Sequence, residues 1–239
     1  MNRTKKLIIS ILIVVLIGLC SIIAGALFFG DTSIINTGDQ HILVCAIDES
    51  EPRAGMGACD MAFIVTLDNG TLKDYTAFYP GGMTHPTAAE PEEYQKQGAG
   101  AKLLMHDAFY DSDNSKGLQL AKEIVEANKH IHIDQVVAVN SEGLDAVLAA
   151  AGPLEVNGEV TNASAIDIIR EEDWNQGISR GEAVLDIVKA AADKAKDPDV
   201  KSAMINAALD QFSKGNIIMS GPGDFATLLA SKGIENFFK

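Results

Sequence analysis

Cysteine is scarce in this 239-residue chain: there are three, and beyond the apolar stretch that holds Cys20 only Cys45 and Cys59 remain. That count excludes a disulfide framework, and no CxxC or Cys/His spacing signals structural zinc. Cys45 and Cys59 either pair or pack as small buried residues, and unpaired packing is the expectation. No Gly-x-Ser-x-Gly elbow, Walker loop or internal repeat is present. His41, His85, His106, His130 and His132 share no metal-ligand spacing on one helix, and His130-x-His132 reads as a surface pair at a strand entrance. Basic residues are also few, 19 against 33 acids, for a net charge of -14. Nucleic-acid binding is therefore excluded as a leading function, because this charge repels a phosphate backbone.

One long apolar run is present. Leu7 to Phe29 holds 23 residues without a charge. At about 1.5 Å rise per residue that suffices for a hydrocarbon core of about 30 Å. Arg3, Lys5 and Lys6 precede it and Asp31 follows, so the positive-inside bias keeps residues 1–6 cytoplasmic and exports the rest to the extracellular side. Ala24-Gly25-Ala26 resembles a cleavage site, but the run exceeds the length of a signal core, so a single-pass, uncleaved anchor in the cell membrane is expected. The expected organisation is a tail (1–6), a transmembrane helix (7–29), a stalk (30–40) and one extracellular domain (41–239). The three basic residues lie in 1–30, which has no acids, so the exported part carries -17.

Within that domain "HILVCAID" reads as a buried strand ending at Asp48. Met61–Leu67 and Thr71–Phe78 flank Asp68-Asn69-Gly70, which predicts a tight hairpin. Residues 80–100 lack periodicity and are expected to form a surface loop or lid. Leu118, Ala121, Ile124 and Val125 mark a helix capped by Ser115; "HIDQVVAV" is a second buried strand; Leu144, Val147 and Leu148 mark a helix after Asn140. "LEVNGEVT" predicts a hairpin, Ile166–Ile169 a helical turn, Ser179-Arg180-Gly181-Glu182 a helix start, 200–212 a helix stopped by Gly215, "NIIMS" a strand, and the region of Asp224 a final helix. Together these give an α/β class with a mixed central sheet and helices on both faces. Asn69 and Asn162 sit in glycosylation sequons, although Asn69-Gly70 is also what the turn requires.

Asp48 and Asp60 each stand where an apolar strand meets a loop. Neighbouring carboxylates there suit Mg²⁺, while turn capping is the ordinary role of such aspartates. Several longer stretches carry more: "HILVCAID", "CDMAFIVTL", "FYPGGMT", "AKLLMHDAF", the segment from Gly117 to Val156, and "NASAIDIIREEDWNQGISRGEAVLDIV". In this order they resemble the LytR-CpsA-Psr family, and still more the domain of unknown function numbered 4012 in methanogenic archaea, over about Gln40 to Ala191. The resemblance implies a membrane-tethered, extracellular α/β/α domain of the cell envelope. It also implies a site for the pyrophosphate of a polyprenyl-linked glycan, with Mg²⁺ on Asp48 and Asp60 and phosphate contacts from Lys102, Arg170 and Arg180. Arginines of the family pattern are replaced: Ala58 and Cys59 precede Asp60, Pro80-Gly81-Gly82 follows the third strand, and Ser50 stands near the first acid, with Arg53 as a substitute within reach. Backbone amides of Gly81 and Gly82 offer partial compensation as an anion nest, while turning the chain is the ordinary role of such glycines. Two functions stay open: a Mg²⁺-dependent glycan phosphotransferase, with Asp48 and Asp60 catalytic, and a catalytically silent envelope binding or scaffolding module.

Overall fold

The structure is a computed structural model that describes residues 39–220, apart from 52, 69–70, 157–158, 162–189, 192–193 and 196. The apolar run Leu7–Phe29 lies outside them, and among the described residues no helix is long and apolar enough to cross a membrane. The turn at 166–169, the helix start at 179–182 and the helix near Asp224 also lie outside, as do Asn69 and Asn162.

The central sheet holds β1 (Asp39–Asp48), β2 (Ala58–Asp68), β3 (Thr71–Phe78), β6 (Gln135–Asn140) and β9 (Ile217–Met219), in the order β3-β2-β1-β6-β9. β1 and β6 are parallel and every other neighbour is antiparallel. Asp68 pairs with Thr71, so β2 and β3 close over two residues, as the Asn-Gly pair requires. Alternation along β1 sends Ile42 and Val44 to one apolar layer and Leu43, Cys45 and Ile47 to the other.

Helices cover both layers. The first is sealed by α3 (Ser141–Ala150) through Val147 and Leu148, and by α4 (Pro198–Lys214) through Met204 and Ala208. The second is sealed by α2 (Asn114–Lys129) through Leu118, Ala121, Ile124 and Val125. α4 starts on Asp197, whose side chain accepts from the Asp199 amide, and stops at Gly215 with φ 81°. A two-stranded unit pairs β7 (Leu154–Val156) with β8 (Glu159–Thr161). Cys45 and Cys59 are both buried and free, as packing residues should be; burial pushes the Cys45 thiol well up, with neighbouring Cys59 adding to it.

Two expectations need correction. The cap of α2 is Asp113, which accepts from the amides of Ser115 and Lys116; Ser115 is already inside the helix. Residues 80–100 are built rather than loose: they contain β4 (Thr84–Ala89) and the short helix α1 (Glu92–Lys96), and β4 pairs with β5 (Lys102–Leu104). Pro86 sits in the irregular stretch of that pairing, where a missing amide is tolerated. His85 is buried beneath it, its Nδ1 accepting from the Thr87 and Ala88 amides while Nε2 meets the Glu123 carboxylate at 2.7 Å. His132 stays exposed beside Glu126, in keeping with a surface role.

Candidate functional site

The β1–β2 ladder breaks once. Ala46 faces Met61 and Ile47 faces Cys59, so Asp60 is the extra residue of a β-bulge. Cys59 and Ala62 consequently face the same apolar layer although three positions apart. The bulge removes Asp60 from the pleat and turns its carboxylate toward the end of the sheet, leaving the side chain 24% exposed.

There Asp60 and Asp48 line one cleft with Met61, Asn140, Ser141 and Leu144. Asp48 and Asn140 close the parallel strands β1 and β6, with Ile47 and Asn140 in register, so the cleft opens at the carboxyl ends of two neighbouring parallel strands. Asp48 Oδ1 accepts from the Ser50 amide at 2.8 Å. On the α3 side, Asn140 caps Gly143, and the Glu49 carboxylate accepts from the Ser141 amide at 3.1 Å and from the Ser141 hydroxyl.

The loop 49–57 brings further charges to Asp60. It is held close by glycine: a Cβ at Gly57, where φ is 133°, would stand 2.5 Å from the Asp48 carbonyl oxygen, and one at Gly55 would stand 2.2 Å from that of Phe109. So fixed, the loop carries Glu51 and Arg53 to the 3₁₀ turn Met105–Asp107. His106 Nε2 lies 3.3 Å from Asp60 Oδ1 and 3.5 Å from Glu51 Oε2, and Nδ1 lies 3.4 Å from Asp107 Oδ1. Arg53 donates to Asp107 Oδ1 through Nε at 3.0 Å and Nη2 at 2.7 Å, and lies over the Tyr94 ring at 4.7 Å. Glu90 is buried below; its Oε2 accepts from the Leu104 amide and its Oε1 has no hydrogen-bond partner.

These groups shift one another. Asp107, and then Asp60, push the His106 imidazole up to about 10, against an opposing effect of burial. Burial would raise Asp107, but His106 and Arg53 hold it below its ordinary value. Burial raises the Glu90 carboxyl, and the charge of Asp107 adds to it.

Of the residues expected to form the site, the fold thus brings Asp48 and Asp60 together. Gly81 and Gly82 form a turn closed by the Met83 amide on the Pro80 carbonyl, with Gly82 at φ 80° and the Tyr79 ring against Gly81. That turn abuts the 3₁₀ segment, since the Met83 carbonyl accepts from the Met105 amide. Lys102 is exposed on β5, and Arg170 and Arg180 lie outside the described residues. Ala58 and Cys59, where the family pattern has arginine, are sealed in the core. Arg53, expected as a substitute arginine near Asp48, is bound instead to Asp107. Sequence reasoning missed Glu51, His106 and Asp107. They reach Asp60 through tertiary packing, and the only local hint was an adjacent His-Asp pair after an apolar strand.

The fit to Mg²⁺ is partial. Asp48 and Asp60 line one cleft. Yet among the described residues the one close group of three metal-ligating side chains is Glu51, Asp60 and His106, a mixed nitrogen and oxygen set without Asp48. Mg²⁺ demands an oxygen octahedron.

The fold has parallels among solved structures. The protein gbs0355 from Streptococcus agalactiae superposes with a TM-score of 0.53 at 16% identity, over 84% of this chain and 75% of that one. TagV of B. subtilis gives 0.49 at 17% identity, over 85% and 80%. No curated protein matches the sequence. The family described as "Protein of unknown function (DUF4012)" matches residues 37–174, which is more than half of the chain. That match places the chain in the DUF4012 family, with a fold shared with gbs0355.

Proposed function

We propose that the domain is a membrane-tethered component of the cell envelope that binds the pyrophosphate of a polyprenyl-linked glycan at the cleft where β1 and β6 end. One observation carries this reading: the bulge presents Asp60 beside Asp48 at the carboxyl ends of parallel strands. Open α/β sheets hold their ligands in that place. An acidic rim alone repels phosphate, so the ligand would arrive with a bound cation, and Lys102, Arg170 and Arg180 would supply direct phosphate contacts. Gly81 and Gly82, on the turn beside the 3₁₀ segment, would add backbone amides. In this reading Leu7–Phe29 is the tether and the domain faces outward.

Binding is favoured over efficient transfer. Where the family pattern has arginine just before the second-strand acid, this chain has the sealed Ala58 and Cys59, and Arg53 is committed to Asp107. Losing one positioned donor to a developing oxyanion costs about 10²–10³ in rate. The test reconstitutes the full chain in vesicles with a polyprenyl pyrophosphate glycan and a divalent cation. Saturable binding that weakens at least about tenfold in Asp60→Ala supports the reading; no binding, or equal binding by the variant, rejects it. Mass spectrometry of the same mixture reports whether glycan phosphate moves to an acceptor.

A further inference from the structure

The geometry points to a four-coordinate, zinc-type metal site formed by Glu51, Asp60 and His106, with the fourth position open to water or a phosphate oxygen. It shares Asp60 with the glycan reading and depends on that reading only for the identity of the fourth ligand.

Distances carry the argument. Two ligand atoms each about 2.1 Å from a metal stand about 3.4 Å apart across a tetrahedral angle and about 3.0 Å apart across an octahedral right angle. His106 Nε2 stands 3.3 Å from the Asp60 oxygen and 3.5 Å from the Glu51 oxygen, and all three ligand atoms lie within 4.8 Å of one another. Closing the remaining edge needs only Glu51 to swing, and its side chain is 49% exposed.

A second observation is independent of those edges. The other imidazole nitrogen faces Asp107, which is 5% exposed and gripped twice by Arg53. A carboxylate behind the ligating histidine is the usual support of a zinc site, since it fixes the ring and raises its basicity. Charge agrees: Glu51, Asp60, Asp107 and Glu90 share the neighbourhood with Arg53 and His106, and the Glu90 Oε1 is buried without a partner. A nitrogen donor among carboxylates selects a borderline cation over Mg²⁺. On binding, the metal takes the Nε2 lone pair, and any proton there leaves to solvent.

Cobalt(II) tests the site without any glycan. The untagged full chain in detergent, stripped of metal, is titrated with Co(II) and watched in the visible range. The expected result is one Co(II) per chain with the intense bands of four-coordinate cobalt, bleached by Zn(II) and not by excess Mg(II). His106→Gln and Glu51→Gln should weaken binding at least about tenfold, Asp107→Asn by about tenfold or more, and Asp48→Asn by less than about threefold. Absent or pale six-coordinate spectra would overturn the proposal, as would wild-type affinity in His106→Gln. Asp48→Asn as damaging as His106→Gln would return the cation to the aspartate pair. Glu51 lies at the surface, so its variant keeps the test decisive if His106→Gln misfolds. An intact cobalt site with no glycan binding would reject the proposed function and leave this site standing.

Discussion

Arg53→Gln removes the ion pair beneath the site, along with weaker contacts to the Glu51 carbonyl at 3.2 Å and the Glu51 carboxylate at 3.6 Å. Asp107 is 5% exposed, and both strong contacts to its Oδ1 come from Arg53, at 2.7 and 3.0 Å. Deleting one partner of a buried pair costs about 3–5 kcal/mol. His106 stays beside the stranded carboxylate at 3.4 Å and lowers that figure, to about 2–3 kcal/mol. Loss of the guanidinium stacked on Tyr94 adds about 0.5–1 kcal/mol. The sum, about 3 kcal/mol, corresponds to a fall in Tm of about 6–12 °C for a chain of this size. Calorimetry or thermal circular dichroism reads it. Combining the variant with Asp107→Asn should recover about 1.5–3 kcal/mol relative to the sum of the single changes. Asp107 is held below its ordinary value in the folded chain, so its contribution is present above the unfolded value of about 3.9 and is lost as pH falls through the lower folded value. The gap between wild type and Arg53→Gln should therefore narrow below about pH 4. An effect under about 0.5 kcal/mol, or strict additivity in the double variant, would refute the reasoning.

The metal-free chain should lose stability at alkaline pH. The folded His106 value is raised from 6.5 to about 10, so its contribution is complete below about 6.5 and is lost as pH climbs through about 10. Solvent screening of a ring 29% exposed reduces this to about 1–2 kcal/mol, and His106→Gln should flatten urea-midpoint curves across that range. Gly57→Ala forces a side chain against the Asp48 carbonyl at φ 133° and should cost more than about 2 kcal/mol by denaturant unfolding. Asp113→Ala should cost about 1 kcal/mol and Ser115→Ala less than about 0.5 kcal/mol, with the order read from paired melts.

The contrast between those last two variants shows where local pattern stops being informative. Asp113 and Ser115 are both good caps two residues apart, and only the entry angle of the chain selects between them. The central hairpin and the buried strand ending at Asp48 were legible because apolar runs, alternation and Asn-Gly chemistry agree there. β4 was illegible because its Thr-His-Pro-Thr sequence is stabilised from outside, by β5 and by the ring of His85. The site divides along the same line. Asp48 and Asp60 stand out at strand ends, whereas Arg53 and Asp107 meet across 54 positions. No local periodicity records a contact of that span, and the skipped pairing at Asp60 is a property of two strands rather than one.

That skipped pairing insulates folding from chemistry. Residues 61–68 keep their register with β1 whatever side chain occupies position 60, because that position contributes nothing to the interleaving of the two layers. Descendants of such a chain are free to exchange the acid with little penalty to assembly of the sheet, whereas Ala58 and Cys59 just before it are held by the core. Ligand preference in this lineage is thereby able to drift faster than architecture.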